Sequence, residues 1–251
     1  MEETEKKLLD FIRKQVEAAG AKGVVVGMSG GLDSSVVAAL CARAIGPERV
    51  LGLCLPDKVT DPSDVEDAEN LAQELGIRFK KIEITPIIEA LHRCLPDFDP
   101  SARLPLANLK ARVRMIILYY YANLHGYLVA GTGNRSELRA GYFTKWGDGA
   151  ADFLPLGSLY KTQVRELARY LDIPRTILEK VPTAGLWPGQ TDEGELGISY
   201  EKLDKIYMGL DAGKSPEDVA KIAGVEVGRV REFMERERKT QHKRLPPPRP
   251  E

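Results

Sequence analysis

A chain of 251 residues can bury a substantial core as one large domain or two small ones. Its 43% hydrophobic and 29% charged residues describe an ordinary soluble globular protein, and a net charge of −1 gives no global pull toward nucleic acid or anionic membrane. No apolar stretch approaches the roughly 18 residues that span a bilayer.

The acidic start Met1-Glu2-Glu3-Thr4-Glu5 is unlike a signal peptide, and Leu8, Leu9, Ile12 and Val16 mark a first helix closed by Gly20. Val24-Val25-Val26 opens a buried strand over 24–28, and a helix follows over 34–45. Val50 to Leu55 reads as a second strand, Ser63 to Leu75 as a helix ended by Gly76, and Phe79 to Ile84 as a third strand. Asn108 to His125 is a long helix ended by Gly126, and Tyr127 to Gly131 a fourth strand. This alternation predicts an α/β fold: a doubly wound, mostly parallel, five-stranded Rossmann-like sheet with helices on both faces. The α/β core is expected over about 20–172 of a single domain, with a lid loop and C-terminal helices over about 173–251 and a non-helical tail from Leu245 to Glu251. Cys41, Cys54 and Cys94, odd in number and widely spaced, read as reduced core residues of a cytoplasmic protein.

Between the first strand and its helix lies Gly27-Met28-Ser29-Gly30-Gly31-Leu32-Asp33-Ser34-Ser35. Tightly turned glycines with inward N–H groups, followed by a helix N-terminus, suit a phosphate. Asp33 would repel that phosphate unless a divalent cation such as Mg²⁺ sat between them. A loop for γ-phosphoryl transfer would carry a lysine here, and this one has none. After strand four comes Gly131-Thr132-Gly133-Asn134-Arg135-Ser136-Glu137, where Ser136 could cap a short helix. Glu137 is placed to be a second metal carboxylate, or else a first-turn glutamate favoured by the helix dipole. The stretch from Gly141 to Gly157 combines aromatic, basic and acidic residues with four glycines, a density that generic turns do not need. Lys161 opens an amphipathic helix against the dipole, as an anionic ligand would explain, although a solvated lysine reads equally well. Lys180 to Tyr200, containing Pro182 and Pro188, lacks periodicity and reads as a mobile segment able to close over a nucleotide. Ser215-Pro216 is a strong helix start, and Val219, Ala223, Gly224, Val230 and Phe233 give a helix–turn–helix rhythm that could suggest DNA binding. Glu226 and Glu232 among the would-be recognition residues tell against it.

The run Ser29 to Ser34 resembles the pyrophosphate loop of the N-type ATP pyrophosphatases, which adenylate a carboxylate or carbonyl oxygen. Gly131-Thr132 through Glu137, Gly141-Tyr142-Phe143-Thr144-Lys145 with Gly147-Asp148-Gly149 and Asp152, Lys180 to Leu186, Gln190 to Tyr200 and His242-Lys243-Arg244 together resemble the NAD synthetase family, in that family's order. The resemblance implies an ATP- and Mg²⁺-dependent ligase that converts deamido-NAD to NAD through an adenylated carboxylate, releasing AMP and pyrophosphate in the last step of NAD biosynthesis. It implies that Gly27, Met28, Ser29, Gly30, Gly31, Leu32, Asp33, Ser34, Ser35, Thr132, Lys161 and Thr183 bind ATP. Asp33 and Glu137 would hold the metal, and Arg112, Lys145, Asp152, His242 and Lys243 would contact deamido-NAD. On pattern alone Arg112 reads equally as a surface arginine and His242-Lys243 as a solvated basic tail. Asp33, Asp148 and Lys161 are the catalytic candidates, Asp148 as the group that binds ammonium or accepts its proton. No cysteine has a nucleophile-like setting, so free ammonia is the expected nitrogen donor. Family members form homodimers, which the apolar–aromatic run Met115 to Ala122 would suit; a core helix of the monomer suits it equally. Gly185 to Gln190 and Asn134-Arg135-Ser136 depart from the well-studied bacterial pattern. The alternative is another ATP pyrophosphatase, such as a tRNA-modifying enzyme.

Overall fold

The computed structural model describes residues 1–187 and 189–250; Pro188 of the expected lid and Glu251 of the expected tail lie outside the described residues. In chain order the first half contains α1 (Glu2–Ala18), β1 (Val24–Gly27), α2 (Leu32–Ile45), β2 (Val50–Cys54), α3 (Pro62–Glu74), β3 (Arg78–Lys81), α4 (Thr85–Cys94), α5 (Arg103–His125) and β4 (Leu128–Ala130). Then come α6 (Arg135–Ala140), α7 (Lys161–Tyr170), α8 (Arg175–Leu178), α9 (Asp192–Leu196), α10 (Tyr200–Asp211), α11 (Pro216–Ala223) and α12 (Val227–Lys239).

The four strands are parallel in the order β3-β2-β1-β4, with Val24 opposite both Val50 and Leu128. Successive strand residues face opposite sides. Val24, Val26, Val50 and Cys54 pack with α1, α2, α3 and α7, while Val25, Leu51, Leu53 and Val129 pack with α4 and α5. The β-branched run of β1 is therefore buried on both faces, as a central parallel strand requires. Edge strand β3 is mostly exposed and carries Arg78, Lys80 and Lys81, charges that discourage pairing with another chain.

The sheet has four strands where five were expected. The fifth is reduced to a single parallel bridge between Phe153 and Ala130, held by Asp152 N–H to Val129 O at 3.0 Å and Gly131 N–H to Phe153 O at 2.9 Å. Pro155 lacks the N–H that would extend the ladder. Helix α4 was not among the expected elements. Cys94 on that helix is exposed, whereas Cys41 and Cys54 are core residues as expected.

Helices α10, α11 and α12 form a second apolar cluster around Tyr200, Tyr207 and Phe233, which also takes in Ala140 of α6 and Tyr160 before α7. Ser215 caps α11 with Pro216 in its first turn. Along α12 and its neighbour, Arg229, Arg231, Arg238 and Lys239 each face a glutamate. No helix among the described residues is long and apolar enough to cross a membrane.

Candidate active site

In an open parallel sheet the ligand crevice lies where chain progression reverses direction, beyond the carboxyl ends of the strands. Here that point falls between β1 and β4. The chain leaving β1 turns through Gly30 at φ 75°, where a Cβ would lie 2.1 Å from the Asp64 carbonyl oxygen. Only glycine fits both the angle and the space. Ser34 and Ser35 donate their hydroxyls to Gly31 O at 3.0 and 2.8 Å, and Ser34 Oγ accepts from Ser29 N–H at 3.3 Å. Gly31 caps α2 without a side chain, so the first N–H groups of that helix stay free to meet an anion. Met28, expected among the ATP-binding residues, has its side chain buried over Gly52, and its N–H donates to Leu53 O at 2.9 Å. It supports the loop from beneath.

Asp33 in the first turn of α2 faces the Lys161 ammonium through Oδ2 and accepts Asn134 Nδ2–H through Oδ1 at 3.0 Å. Glu137 Oε1 lies 3.7 Å from the same ammonium. Asn134, not Ser136, caps α6: its Oδ1 accepts Glu137 N–H at 3.0 Å while Glu137 Oε2 accepts Asn134 N–H at 3.1 Å. The spacing Asn-x-x-Glu is a capping-box pattern and could have signalled this. Ser136 instead donates to Asp204 Oδ1 and accepts Lys161 N–H at 2.9 Å, and Asp204 Oδ2 accepts Thr162 N–H at 2.9 Å. The Asp204 carboxylate at the start of α7 offsets the dipole that a lysine there opposes. Tyr200, unforeseen, lays its ring 5.3 Å beneath Lys161 Nζ and donates its hydroxyl to buried Asp192 at 3.1 Å.

Burial and the Asp33 charge push the Glu137 carboxyl up to about 8, with Lys161 opposing. Burial works against the Lys161 ammonium too, but Asp33 and Glu137 outweigh it and hold the lysine above its ordinary value. Two carboxylates thus share one ammonium, which leaves room in the charge balance for a further cation. Asp33 and Glu137 are hard oxygen donors, and Mg²⁺ is commonly bound by one or two carboxylates together with phosphate oxygens. These residues fit such an ion.

A second grouping surrounds the loop from Tyr142 to Ala150, which rests on α5. Thr144 N–H donates to Asp148 Oδ1 at 2.9 Å and the Thr144 hydroxyl to Asn108 Oδ1 at 2.8 Å. Lys243 Nζ donates to Gly141 O and Phe143 O, both at 2.8 Å. Lys145 Nζ reaches His242 O at 2.6 Å, and Arg112 Nη2 reaches Lys145 O at 3.3 Å. Arg112, Lys145, His242 and Lys243 therefore converge from three parts of the chain. Asp148 is open to solvent yet crowded by protein, and that partial desolvation raises its carboxyl against the opposing Thr144 N–H bond. Asp152 is placed differently, tied to β4 by Val129 N–H at 2.6 Å and to the Tyr119 hydroxyl at 3.3 Å.

The Lys180–Tyr200 segment contains a short helix, α9, and lies tied across the first grouping. Lys180 Nζ bonds Gly30 O at 3.2 Å and sits 2.6 Å from both Asp64 and Asp67. Leu186 O accepts Lys110 Nζ at 2.9 Å, and Lys110 also forms a buried 2.6 Å ion pair with Asp57 beyond β2. An apolar cavity of about 310 Å³ beside that pair, lined by Ile88, Phe98, Leu106 and Trp187, includes none of the expected site residues. Thr132 follows β4 at the crevice, half-buried. Thr183 is exposed, its hydroxyl accepting Gly185 N–H within its own turn, and no hydrogen bond among the described residues joins it to the loop between β1 and α2.

Residues 4–247 match the NAD synthase family. The chain belongs to that family. An NH₃-dependent NAD⁺ synthetase from Hyperthermus butylicus is 52% identical over 96% of this chain and 88% of its own length. The solved structure of NMN synthetase from Francisella tularensis is 37% identical, covers 99% of this chain and 98% of its own, and superposes with a TM-score of 0.88. That of an NH₃-dependent NAD synthetase from Campylobacter jejuni is 33% identical, covers 100% and 98%, and gives 0.83. Within the NAD synthase family the parallel sheet flanked by helices is thus shared over the whole chain.

Proposed function

We propose that this chain is an ammonia-dependent carbon–nitrogen ligase that amidates deamido-NAD to NAD at the expense of ATP. The observation that carries this reading is the meeting of Asp33, Glu137 and Lys161 at the sheet's switch point in a chain of the NAD synthase family. First, a nicotinate carboxylate oxygen attacks the α-phosphorus of ATP and pyrophosphate leaves. Ammonia then attacks the activated carbonyl carbon and AMP leaves. A carboxylate accepts ammonia poorly until its oxygen becomes part of a good leaving group, so the protein's work is positioning and charge neutralisation.

The free N–H groups at the start of α2 and the turn around Gly30 suit ATP phosphates, and Lys161 offsets charge gathering on the departing pyrophosphate. Asp33 and Glu137 would hold Mg²⁺, which would supply positive charge to offset that of the ATP phosphates. The raised Asp148 carboxyl suits acceptance of a proton from ammonium. Arg112, Lys145 and Lys243, with His242 beside them, form the cationic grouping for the second nucleotide. The Lys180–Tyr200 segment, tied to the phosphate loop through Lys180, would shield the adenylate from water.

The test is a product assay with ATP, Mg²⁺, deamido-NAD and either ammonium or glutamine. NAD, AMP and pyrophosphate with ammonium alone are expected. Turnover with glutamine alone would place the amidase in this chain or a partner, and ADP as product would end the adenylation reading. The likeness to the Francisella tularensis NMN synthetase favours one second reading, amidation of nicotinate mononucleotide, which the same assay compares directly.

A homodimer is part of the proposal. On α5, Ile116, Tyr120 and Leu124 recur every fourth residue and are 61%, 61% and 59% exposed, an apolar stripe that a second copy would cover. A reducing cytoplasm is likewise proposed, in keeping with three free cysteines.

A further inference from the structure

The peptide between Gly30 and Gly31 is the backbone unit of its loop freest to flip, because neither residue carries a Cβ. It is trans, so Gly30 O and Gly31 N–H point in opposite directions. On one side Gly30 O accepts Lys180 Nζ at 3.2 Å, and on the other Gly31 N–H donates to Ser29 Oγ at 3.3 Å. Ser29 Oγ lies 3.2 Å from Ser34 Oγ, so that N–H is turned toward the first turn of α2. Among the described residues Lys180 is the only hydrogen-bond donor to Gly30 O. The lysine is itself fixed. Asp64 Oδ1 and Asp67 Oδ2 each lie 2.6 Å from Nζ, so three oxygens surround the three N–H groups of the ammonium. The Thr176 hydroxyl donates to Asp67 Oδ1 at 2.9 Å, which leaves Oδ2 for Lys180. Burial works against the Lys180 charge, but the two carboxylates outweigh it and hold the ammonium above its ordinary value. A tie between α8 and α3 is complete with Asp64, Asp67 and Thr176, and the bond to Gly30 O adds something that such a tie does not need.

We propose that Lys180 is a positioning residue for ATP: by holding Gly30 O it keeps the Gly31 N–H turned inward, where it can donate to a phosphate oxygen. The inference rests on the proposed function and deepens it with a residue outside the loop between β1 and α2. Lys180 acts through the peptide, and its own ammonium is already taken by Asp64, Asp67 and Gly30. A Gly-Gly turn that flips loses an inward N–H donor, and backbone N–H groups of this kind are what an anion-binding turn offers.

The test compares native protein with Lys180→Met, Lys180→Arg and the triple variant Lys180→Met, Asp64→Asn, Asp67→Asn. It reads Kd for ATP by calorimetry, KM for ATP and for deamido-NAD, the unfolding midpoint, and the Gly31 amide resonance without nucleotide. Lys180→Met should weaken ATP binding roughly 10- to 100-fold, the range of one hydrogen bond to a charged group. Its midpoint should fall as well, because two carboxylates are left facing each other. The triple variant removes those charges, so its midpoint should return toward native while the ATP loss stays. Lys180→Arg should restore most of the affinity, since guanidinium also donates to carboxylates and carbonyls. KM for deamido-NAD should stay within about 2-fold throughout, because only ATP binding loses a contact. The Gly31 resonance should shift in both methionine variants. ATP affinity that recovers in the triple variant, a Gly31 resonance that does not move, or equal rises in the two KM values would overturn the assignment and leave Lys180 as a tie between α8 and α3. Native protein that binds ATP but makes no NAD would fail the proposed function, with the Lys180 outcome still decided by ATP binding. Native protein with no affinity for ATP would overturn both.

Discussion

At the scale of single residues, Asp33 and Glu137 compete for one ammonium, and replacing either carboxylate alters charge without opening the core. Both side chains keep some contact with solvent, and neither belongs to an apolar cluster. Asp33→Asn and Glu137→Gln should each lower turnover by about 10²- to 10³-fold, the usual cost of removing one group that stabilises transition-state charge. Circular dichroism and the unfolding midpoint should stay near native; near-normal Mg²⁺-dependent turnover in both would remove them from the metal site. Asp148→Asn separates the two half-reactions. ATP–pyrophosphate exchange should remain within a few-fold of native while amide formation slows by about 10²-fold or more, the scale of general-base catalysis. An equal fall in both would show that Asp148 serves adenylation or folding.

Among the elements, β2 and α5 are joined by the buried pair Asp57–Lys110, whose ammonium also holds the segment before α9 through Leu186 O. Burial alone would raise the Asp57 carboxyl, but the Lys110 ammonium and the Thr60 hydroxyl more than offset it and hold it below its ordinary 3.8. A depressed folded value means that this contribution is complete above that ordinary value and is lost as pH falls through the folded one. Asp57→Asn would leave Lys110 buried without a counter-charge, at a cost of about 3–5 kcal/mol near neutral pH by denaturant unfolding. Pairing it with Lys110→Met should recover most of that loss. If the single substitution costs under about 1 kcal/mol, solvent or another acid already serves Lys110.

For the whole molecule, the stripe on α5 leads to the assembly prediction. Ile116→Glu places a charge where the lone chain already exposes the residue, so the subunit should fold normally. Light scattering should show native protein as a dimer and the variant as a monomer, at the same midpoint extrapolated to low concentration. A native monomer would leave the stripe without a second copy. A variant that remains dimeric would move the interface to another face.

Much of the fold was legible in the residues because it follows from local rules. A β-branched run, a glycine turn and an apolar helix predict a strand, a loop and a helix wherever they fall, and the first βαβ unit lies where that reading puts it. The glycine turn after β1 was legible for the same reason, since Gly30 meets its φ and its neighbour within a few residues. The expected fifth strand failed because a strand needs a partner ladder as well as a pattern, and Pro155 ends that ladder after one bridge. Likewise Met28 sat in the right motif, but only the sheet register turns its side chain down onto Gly52. The cap of α6, the Tyr200 ring under Lys161 and the cluster around Lys145 depend on residues from distant parts of the chain. The sequence by itself determined the α/β class and the glycine turn between β1 and α2, because these rest on spacing and backbone stereochemistry. Only the tertiary structure decided which carboxylates share the Lys161 ammonium and which carbonyls Lys110 and Lys180 meet, because charges act through space and folding alone brings Asp33 to Lys161, 128 residues away.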